Sequence, residues 1–263
     1  MRNGRIQAVE RASSRYALDG RVNDLAVTGR GRTQRLWIAT DRGLYWHDGR
    51  RFAPVDDARG PGRQHVTSMH VDARGDVWVT SSRVLSRWNH ATDQWQNWDS
   101  DAGFPVAQLH AVTTRREGGR FEVWVGSLHG LYRFDPATGR AEPHTVATGD
   151  LPVDWVTALS TVGGQLVAGT YHGGLSWRVG DRFRIESERH GLPAGWVNPH
   201  AMQNIDGALW IGTLERGLLI GRRGAWTHLR VAQGLPSDDV TDVLEDGTGV
   251  WVATRAGLAR IER

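Results

Sequence analysis

Short apolar runs recur along the chain, each ended by a polar turn and then a Gly-Leu pair or its variant. Six segments align on this pattern. They are Leu36-Trp-Ile-Ala-Thr-Asp-Arg-Gly-Leu44, Val77-Trp-Val-Thr-Ser-Ser-Arg-Val-Leu85 and Val123-Trp-Val-Gly-Ser-Leu-His-Gly-Leu131, followed by Leu166-Val-Ala-Gly-Thr-Tyr-His-Gly-Gly-Leu175, Leu209-Trp-Ile-Gly-Thr-Leu-Glu-Arg-Gly-Leu218 and Val250-Trp-Val-Ala-Thr-Arg-Ala-Gly-Leu258. Their anchors at 36, 77, 123, 166, 209 and 250 are spaced 41, 46, 43, 43 and 41 residues apart.

Each repeat reads as four strands. An inner strand opens on an apolar residue, as in Val22-Asn-Asp-Leu25, Val66-Thr-Ser-Met69, Val156-Thr-Ala-Leu159 and Val240-Thr-Asp-Val243. The second strand carries the Trp, and the Gly-Leu turn leads to a third such as Leu131-Tyr-Arg-Phe134. The outer strand is a stretch such as Gln94-Trp-Gln-Asn-Trp98 or Arg182-Phe-Arg-Ile185. Leu151-Pro152, Gly191-Leu-Pro193 and Gly234-Leu-Pro236 precede the next inner strand, where Pro can start a strand without breaking its ladder. A period of about 40–45 residues made only of short strands is the signature of propeller blades. The pattern predicts an all-β, six-bladed β-propeller of four-stranded antiparallel blades, one domain spanning 1–263. The sixth repeat stops at Arg263 after its third strand, while Asn3-Gly-Arg-Ile-Gln-Ala-Val9 matches outer-strand starts such as Asp48-Gly-Arg-Arg-Phe52. Residues 3–9 are therefore expected to pair with residues 257–262 and close the ring, leaving no long inner edge unpaired.

These repeats resemble the two-component regulator propeller repeat, which runs roughly Gly-Leu-Pro, an inner strand starting with Val, then Leu-Trp-Ile-Gly-Thr, then Gly-Leu. The resemblance covers nearly the whole chain. Its best copies are the fifth, with Leu209-Trp-Ile-Gly-Thr213, and the sixth; the second has Val84 in place of the turn Gly, and the fourth has Val167 in place of Trp. The resemblance implies a periplasmic sensor propeller, of the kind often fused to a membrane helix and a kinase or other output domain.

Composition changes this picture little. The 33 Gly and 13 Trp fit many tight turns and one repeated packing position. With no Cys there is no disulfide framework and no thiolate site. Lys is absent too, so all 32 basic residues are Arg, the usage of a GC-rich genome. The pI of 9.9 accompanies a net charge of only +3, because little titrates between neutral pH and about pH 10 in such a chain. The Arg residues are scattered through every repeat, which argues against a nucleic-acid partner. No apolar run of about eighteen residues spans a membrane. The start, Met1-Arg-Asn-Gly-Arg-Ile6, lacks the apolar core of a signal peptide. As written, the chain is expected to be cytoplasmic; the alternative is periplasmic, for an excised sensor segment.

In a propeller, the connections leading into each inner strand and those between second and third strands emerge on one face, around the channel mouth. One step into the inner strands lie Asn23, Thr67, His110, Thr157, Asn198 and Thr241. All are polar and of modest size, so they either line a wet channel and meet a ligand or simply bond the channel backbone and water. Just before those strands come His65, Trp155, Trp196 and Asp239; on the neighbouring turns lie Arg42, Arg83, His129, Tyr171, His172, Glu215, Arg216 and Arg255. Aromatic platforms with Arg forks suit a sugar or an anionic ligand; the alternative is an ordinary solvated surface. His129 and His172 occupy equivalent turns of adjacent blades, and with His110 they are the candidates for acid–base or metal chemistry, against a reading as exposed loop histidines. No nucleophile elbow or phosphate loop is present, and the sequence implies no cofactor and assigns no metal ligand. The Trp of the second strands (Trp37, Trp78, Trp124, Trp210 and Trp251) are expected to pack between blades. The leading reading is a module that captures a small polar or anionic ligand, possible carbohydrates included, at the channel mouth. The alternatives are a lyase, hydrolase or isomerase working through channel histidines, and a scaffold for a protein partner.

Overall fold

In a computed structural model, which describes residues 20–55, 60–62, 64–104 and 108–262, the repeats form six antiparallel sheets. The first blade is β1 (Val22–Thr28), β2 (Arg35–Thr40), β3 (Gly43–His47) and β4 (Phe52–Pro54). The second is β5 (Val66–Val71), β6 (Val77–Ser81), β7 (Leu85–Asn89) and β8 (Gln94–Trp98). The third is β9 (Leu109–Glu117), β10 (Arg120–Ser127), β11 (Gly130–Asp135) and β12 (Arg140–His144). The fourth is β13 (Val156–Val162), β14 (Gln165–Thr170), β15 (Leu175–Val179) and β16 (Arg182–Glu186). The fifth is β17 (Val197–Ile205), β18 (Ala208–Thr213), β19 (Gly217–Arg222) and β20 (Ala225–Leu229), and the sixth β21 (Val240–Glu245), β22 (Gly249–Thr254) and β23 (Gly257–Glu262). Inner strands follow one another in chain order, β1 on β5, β5 on β9, β9 on β13, β13 on β17 and β17 on β21. This is the six-bladed propeller expected from the repeats. The proposed closing segment, residues 3–9, lies outside the described residues.

The apolar repeat positions build the core between blades. Trp37, Trp78, Trp124 and Trp210 are buried. Three of their indole N–H groups donate to a nearby oxygen: Trp37 to Thr28 Oγ1, Trp78 to Asp72 Oδ2 and Trp124 to Glu122 Oε2. A buried indole needs such an acceptor, which explains acidic residues near the start of the second strand. The fourth repeat, which lacks the Trp, supplies one from across the hairpin. Val167 pairs with Trp177, and that indole is buried and donates to Glu186.

One join differs from the other five. Leu44, Leu85, Leu131, Leu175 and Leu218, the leucines of the Gly-Leu turns, are buried, but the sixth copy, Leu258, is 52% exposed. Likewise Val66, Leu109, Val156, Val197 and Val240 are buried where Val22 is 43% exposed. Leu25 and Leu244 are exposed as well, and Trp251 is only half-buried. Among the described residues, the apolar faces that the sixth and first blades present are thus less covered than those at every other join.

Candidate functional site

A backbone hydrogen bond repeated in all six blades fixes the face that carries the site. The residue before each inner strand accepts from the first turn residue after the second strand. Asp41 donates to Arg21, Ser82 to His65, Leu128 to Gln108, Tyr171 to Trp155, Leu214 to Trp196 and Arg255 to Asp239, at 3.0–3.1 Å. The two sets of connections therefore meet on one rim, as the strand order requires.

Around that rim the chemistry is uneven. On the fourth and fifth blades Trp155 and Tyr171 stack with ring centroids 4.2 Å apart and planes 21° from parallel. Tyr171 lies 5.5 Å from Trp196, and His172 meets Tyr171 at 5.7 Å and Trp196 at 6.2 Å. Trp155 in turn lies 6.1 Å from His110. The result is a ladder running from the channel (His110) outward through Trp155 and Tyr171 to Trp196, which is 40% exposed. It joins two blades because Gly174 N–H donates to Gly195 C=O at 2.9 Å. Gly174 has φ +96°, and a Cβ there would run into the Glu186 carbonyl, so only glycine allows this approach.

Below the rim, each ring residue read from the sequence is part of a β-bulge. Val22 pairs with Thr40 and Asp24 with Ala39, leaving Asn23 as the extra residue; the same slip isolates Thr67, His110, Thr157 and Thr241. A bulge re-aims its side chain, and most of these reach the next blade. Asn23 Nδ2 donates to Val66 C=O (2.8 Å), Thr67 Oγ1 to Leu109 C=O (2.6 Å), Thr157 Oγ1 to Val197 C=O (2.8 Å) and Asn198 Nδ2 to Val240 C=O (2.7 Å). Four of the six are thus clamps between blades. Thr241 instead reaches Ala253 of its own blade, at 3.4 Å. His110 Nε2 is buried with no hydrogen-bond partner among the described residues.

The fifth blade adds a feature the sequence reading missed. Between the pairs Val197↔Thr213 and Met202↔Ile211, four residues, Asn198 to Ala201, face the single residue Gly212. This bulge carries two more residues than the others, and it holds His200 at φ +65°. Pro199, which cannot donate to a ladder, was the available signal. Burial, then the neighbouring His200 and His65, push the His110 imidazole down to about 4. Burial does the same to His200, also to about 4. Neither is charged at neutral pH. Among the described residues no three His, Asp or Glu side chains are placed to hold a metal ion.

The remaining predicted residues lie further around the rim. Arg255 Nε holds Asp239 Oδ2 at 2.6 Å, and Asp239 Oδ1 accepts from Asn198 Nδ2 at 2.9 Å, so these three form one fixed group. Arg42, Arg83, Glu215 and Arg216 are exposed on their turns, as is His129. No ring contact joins His129 to His172 among the described residues; His172 belongs to the ladder instead. Asp24 lies within β1, where burial pushes its carboxyl up to about 6, and Asp242 lies within β21. On the opposite face lies a groove of about 1100 Å³ lined by Phe121 and by Arg74, Arg87, Arg120, Arg133 and Arg140. Arg87 is paired with Asp76, Arg133 with Glu142, and Arg74 covers the Phe121 ring at 4.9 Å.

No protein-family profile matches the chain, and no curated protein matches it. Solved structures do share its fold. It superimposes on an extracellular domain assigned to a hybrid two-component system of B. thetaiotaomicron with a TM-score of 0.71 at 20% identity, over 92% of this chain and 34% of that one. The chain therefore spans about a third of that domain's length. A catalytically inactive His-to-Ala variant of virginiamycin B lyase from Staphylococcus aureus, with quinupristin, gives 0.66 at 11% identity, over 91% of this chain and 85% of that one. BBS1N in complex with ARL6DN gives 0.64 at 12%, over 93% and 80%. At these identities the likeness is one of fold, the propeller expected from the repeats. No described helix is long and apolar enough to cross a membrane.

Proposed function

We propose that this propeller is a sensor-type module that captures a small polar or anionic ligand, a carbohydrate above all, over its channel mouth. The observation that carries the reading is the ladder Trp155–Tyr171–Trp196. The stacked rings cover one another's faces and hold the end ring, the exposed Trp196, as an apolar face on which a sugar ring can stack while its hydroxyls meet polar neighbours. Arg42, Arg83 and Arg216 on the surrounding turns supply donors for carboxylate or sulfate groups. Of the ring residues, Thr157 clamps the fourth blade to the fifth and Asn198 the fifth to the sixth, which holds the blades that carry the ladder, whereas Asn23 clamps the first blade to the second. The likeness to an extracellular two-component domain supports the sensor role and a setting outside the cytoplasm.

Calorimetric titration with acidic oligosaccharides tests this reading. Saturable binding is expected, and changing Trp155, Trp196 and Arg216 together to Ala should abolish it. Truncating one central aromatic anchor typically costs about 2 kcal/mol or more, about 30-fold in affinity. Unaltered affinity in the triple variant would remove the proposed site.

A second reading is an enzyme with His110 as channel acid or base. It is favoured by the unpartnered His110 Nε2 and by likeness to a lyase propeller. Product formation from a bound oligosaccharide, lost on His110→Ala with binding retained, would establish it; binding without turnover would leave the sensor reading.

A further inference from the structure

His110 and His200 do nothing for the framework that another residue would not do better. At the His110 position Thr67 and Thr157 clamp the next blade, and His110 does not. His200 sits in the enlarged bulge of β17 at a left-handed φ that glycine takes freely and other residues adopt rarely. The two come from β9 and β17, inner strands of non-adjacent blades that come into contact across the ring, and His200 is one of the charges that bear on the His110 imidazole. Through the Trp155 ring, His110 also adjoins the aromatic ladder.

We propose that the imidazoles of His110 and His200 form an anion-binding subsite within the channel, which receives the carboxylate of an acidic ligand that packs along the Trp155–Tyr171–Trp196 ladder. This rests on the reading of the ladder as the ligand platform. A neutral imidazole offers one N–H donor and one acceptor nitrogen. A carboxylate brought beside two desolvated imidazoles favours the charged ring, so one proton moves from solvent onto an imidazole nitrogen as the anion arrives. The product is an imidazolium–carboxylate pair with no net charge added to the channel. Without the anion, burial holds both rings neutral. The other titratable groups facing this space are His65 ahead of β5, Tyr171 and His172 on the β14–β15 turn, and Asp239, which Arg255 already neutralises. Binding should therefore tighten as pH falls from about 7.5 to 5.

Acetate, the smallest convenient carboxylate, probes the subsite without any assumption about the ligand. In the full chain labelled with ¹⁵N-histidine, the His110 and His200 imidazole resonances are followed from pH 4 to 8 in acetate-free buffer and with increasing acetate. The expected result is a saturable rise of at least one pH unit in the first of the two coupled titration midpoints, with exposed His90 unmoved. The response should vanish in His110→Thr and in His200→Gly, variants whose residues suit the local backbone and keep the bulge. Midpoints that acetate leaves unchanged, or that shift no more than His90, overturn the subsite. The ladder is scored separately with a galacturonic acid tetramer and its methyl ester. Trp196→Ala should weaken both sugars at least tenfold and leave the acetate response intact. If both sugars bind that variant normally while acetate still acts, the ladder reading fails and the subsite stands. If Trp196→Ala weakens them but acid and ester bind wild type alike, the ladder stands and the subsite fails.

Discussion

Replacing His110 with Thr should make the protein more stable. Thr at the equivalent bulge donates to the first carbonyl of the next blade at 2.6 Å from Thr67 and 2.8 Å from Thr157. At position 110 that acceptor is the Val156 carbonyl. The substitution adds one inter-blade hydrogen bond, worth about 0.5–1.5 kcal/mol net, and removes a buried nitrogen without a partner, which costs about 1–3 kcal/mol. Against this stands the lost contact with the Trp155 ring, about 0.5–1.5 kcal/mol for an aromatic pair. The balance is a gain of about 1–2 kcal/mol, or roughly 2–8 °C in Tm for a domain of this size. Calorimetry at pH 7.5 reads it directly, with Thr157→Val as the mirror control that loses a clamp and should melt lower. The pH dependence gives a second reading. The folded-state pKa of His110, about 4, lies below the ordinary 6.5, so the unfolded chain takes up the proton first as pH falls. Wild type therefore loses stability between pH 6.5 and 4 that the Thr variant keeps, and the gap between them should widen over that range. A lower Tm for His110→Thr, or a gap that narrows on acidification, would refute the reasoning. Stability given up at one ring position is the trade expected of a residue kept for a ligand.

Three further outcomes follow from the same structure. Glu122 accepts from Trp124 and Arg178 and pairs with Arg115 at 3.0 Å, all buried; Arg115 and Arg178 keep Glu117 as a second partner, so Glu122→Ala should cost about 1–3 kcal/mol in urea unfolding, chiefly by leaving the Trp124 indole without an acceptor. Deleting residues 1–10 should lower the melting temperature, because Leu258 and Val22 would lose the segment expected to complete their join; an unchanged Tm would contradict ring closure by residues 3–9. Asp24 is pushed by burial to about 6, above its ordinary 3.8, so the folded state holds a proton that the unfolded chain has released. Its contribution is present below pH 3.8 and lost as pH rises through 6, and Asp24→Asn should flatten the Tm profile over that window relative to wild type.

The blades were legible because one pattern specifies both local and tertiary structure. The apolar-Trp-apolar strand, the Gly-Leu turn and the period decide which faces are buried and how many sheets there are. The rim was legible for the same reason, since strand order alone brings Trp155 beside Tyr171 and Tyr171 beside Trp196. What escaped was set by register. Asn23 and Asn198 read as channel polar groups, but whether such an amide meets a ligand or a carbonyl depends on a bulge no composition reveals. His200 was overlooked because its place in the channel comes from two extra residues, marked only by Pro199. Trp177 was likewise hidden: its role in the fourth blade depends on pairing with Val167 across a hairpin.

The most direct test of the account is a crystal structure of the protein purified without added ligand and then soaked with the tightest-binding acidic oligosaccharide. The account predicts a sugar ring stacked on Trp155, Tyr171 or Trp196 with its carboxylate directed toward His110 and His200. A sugar bound in the arginine-lined groove of the opposite face, with the ladder bare, would contradict it.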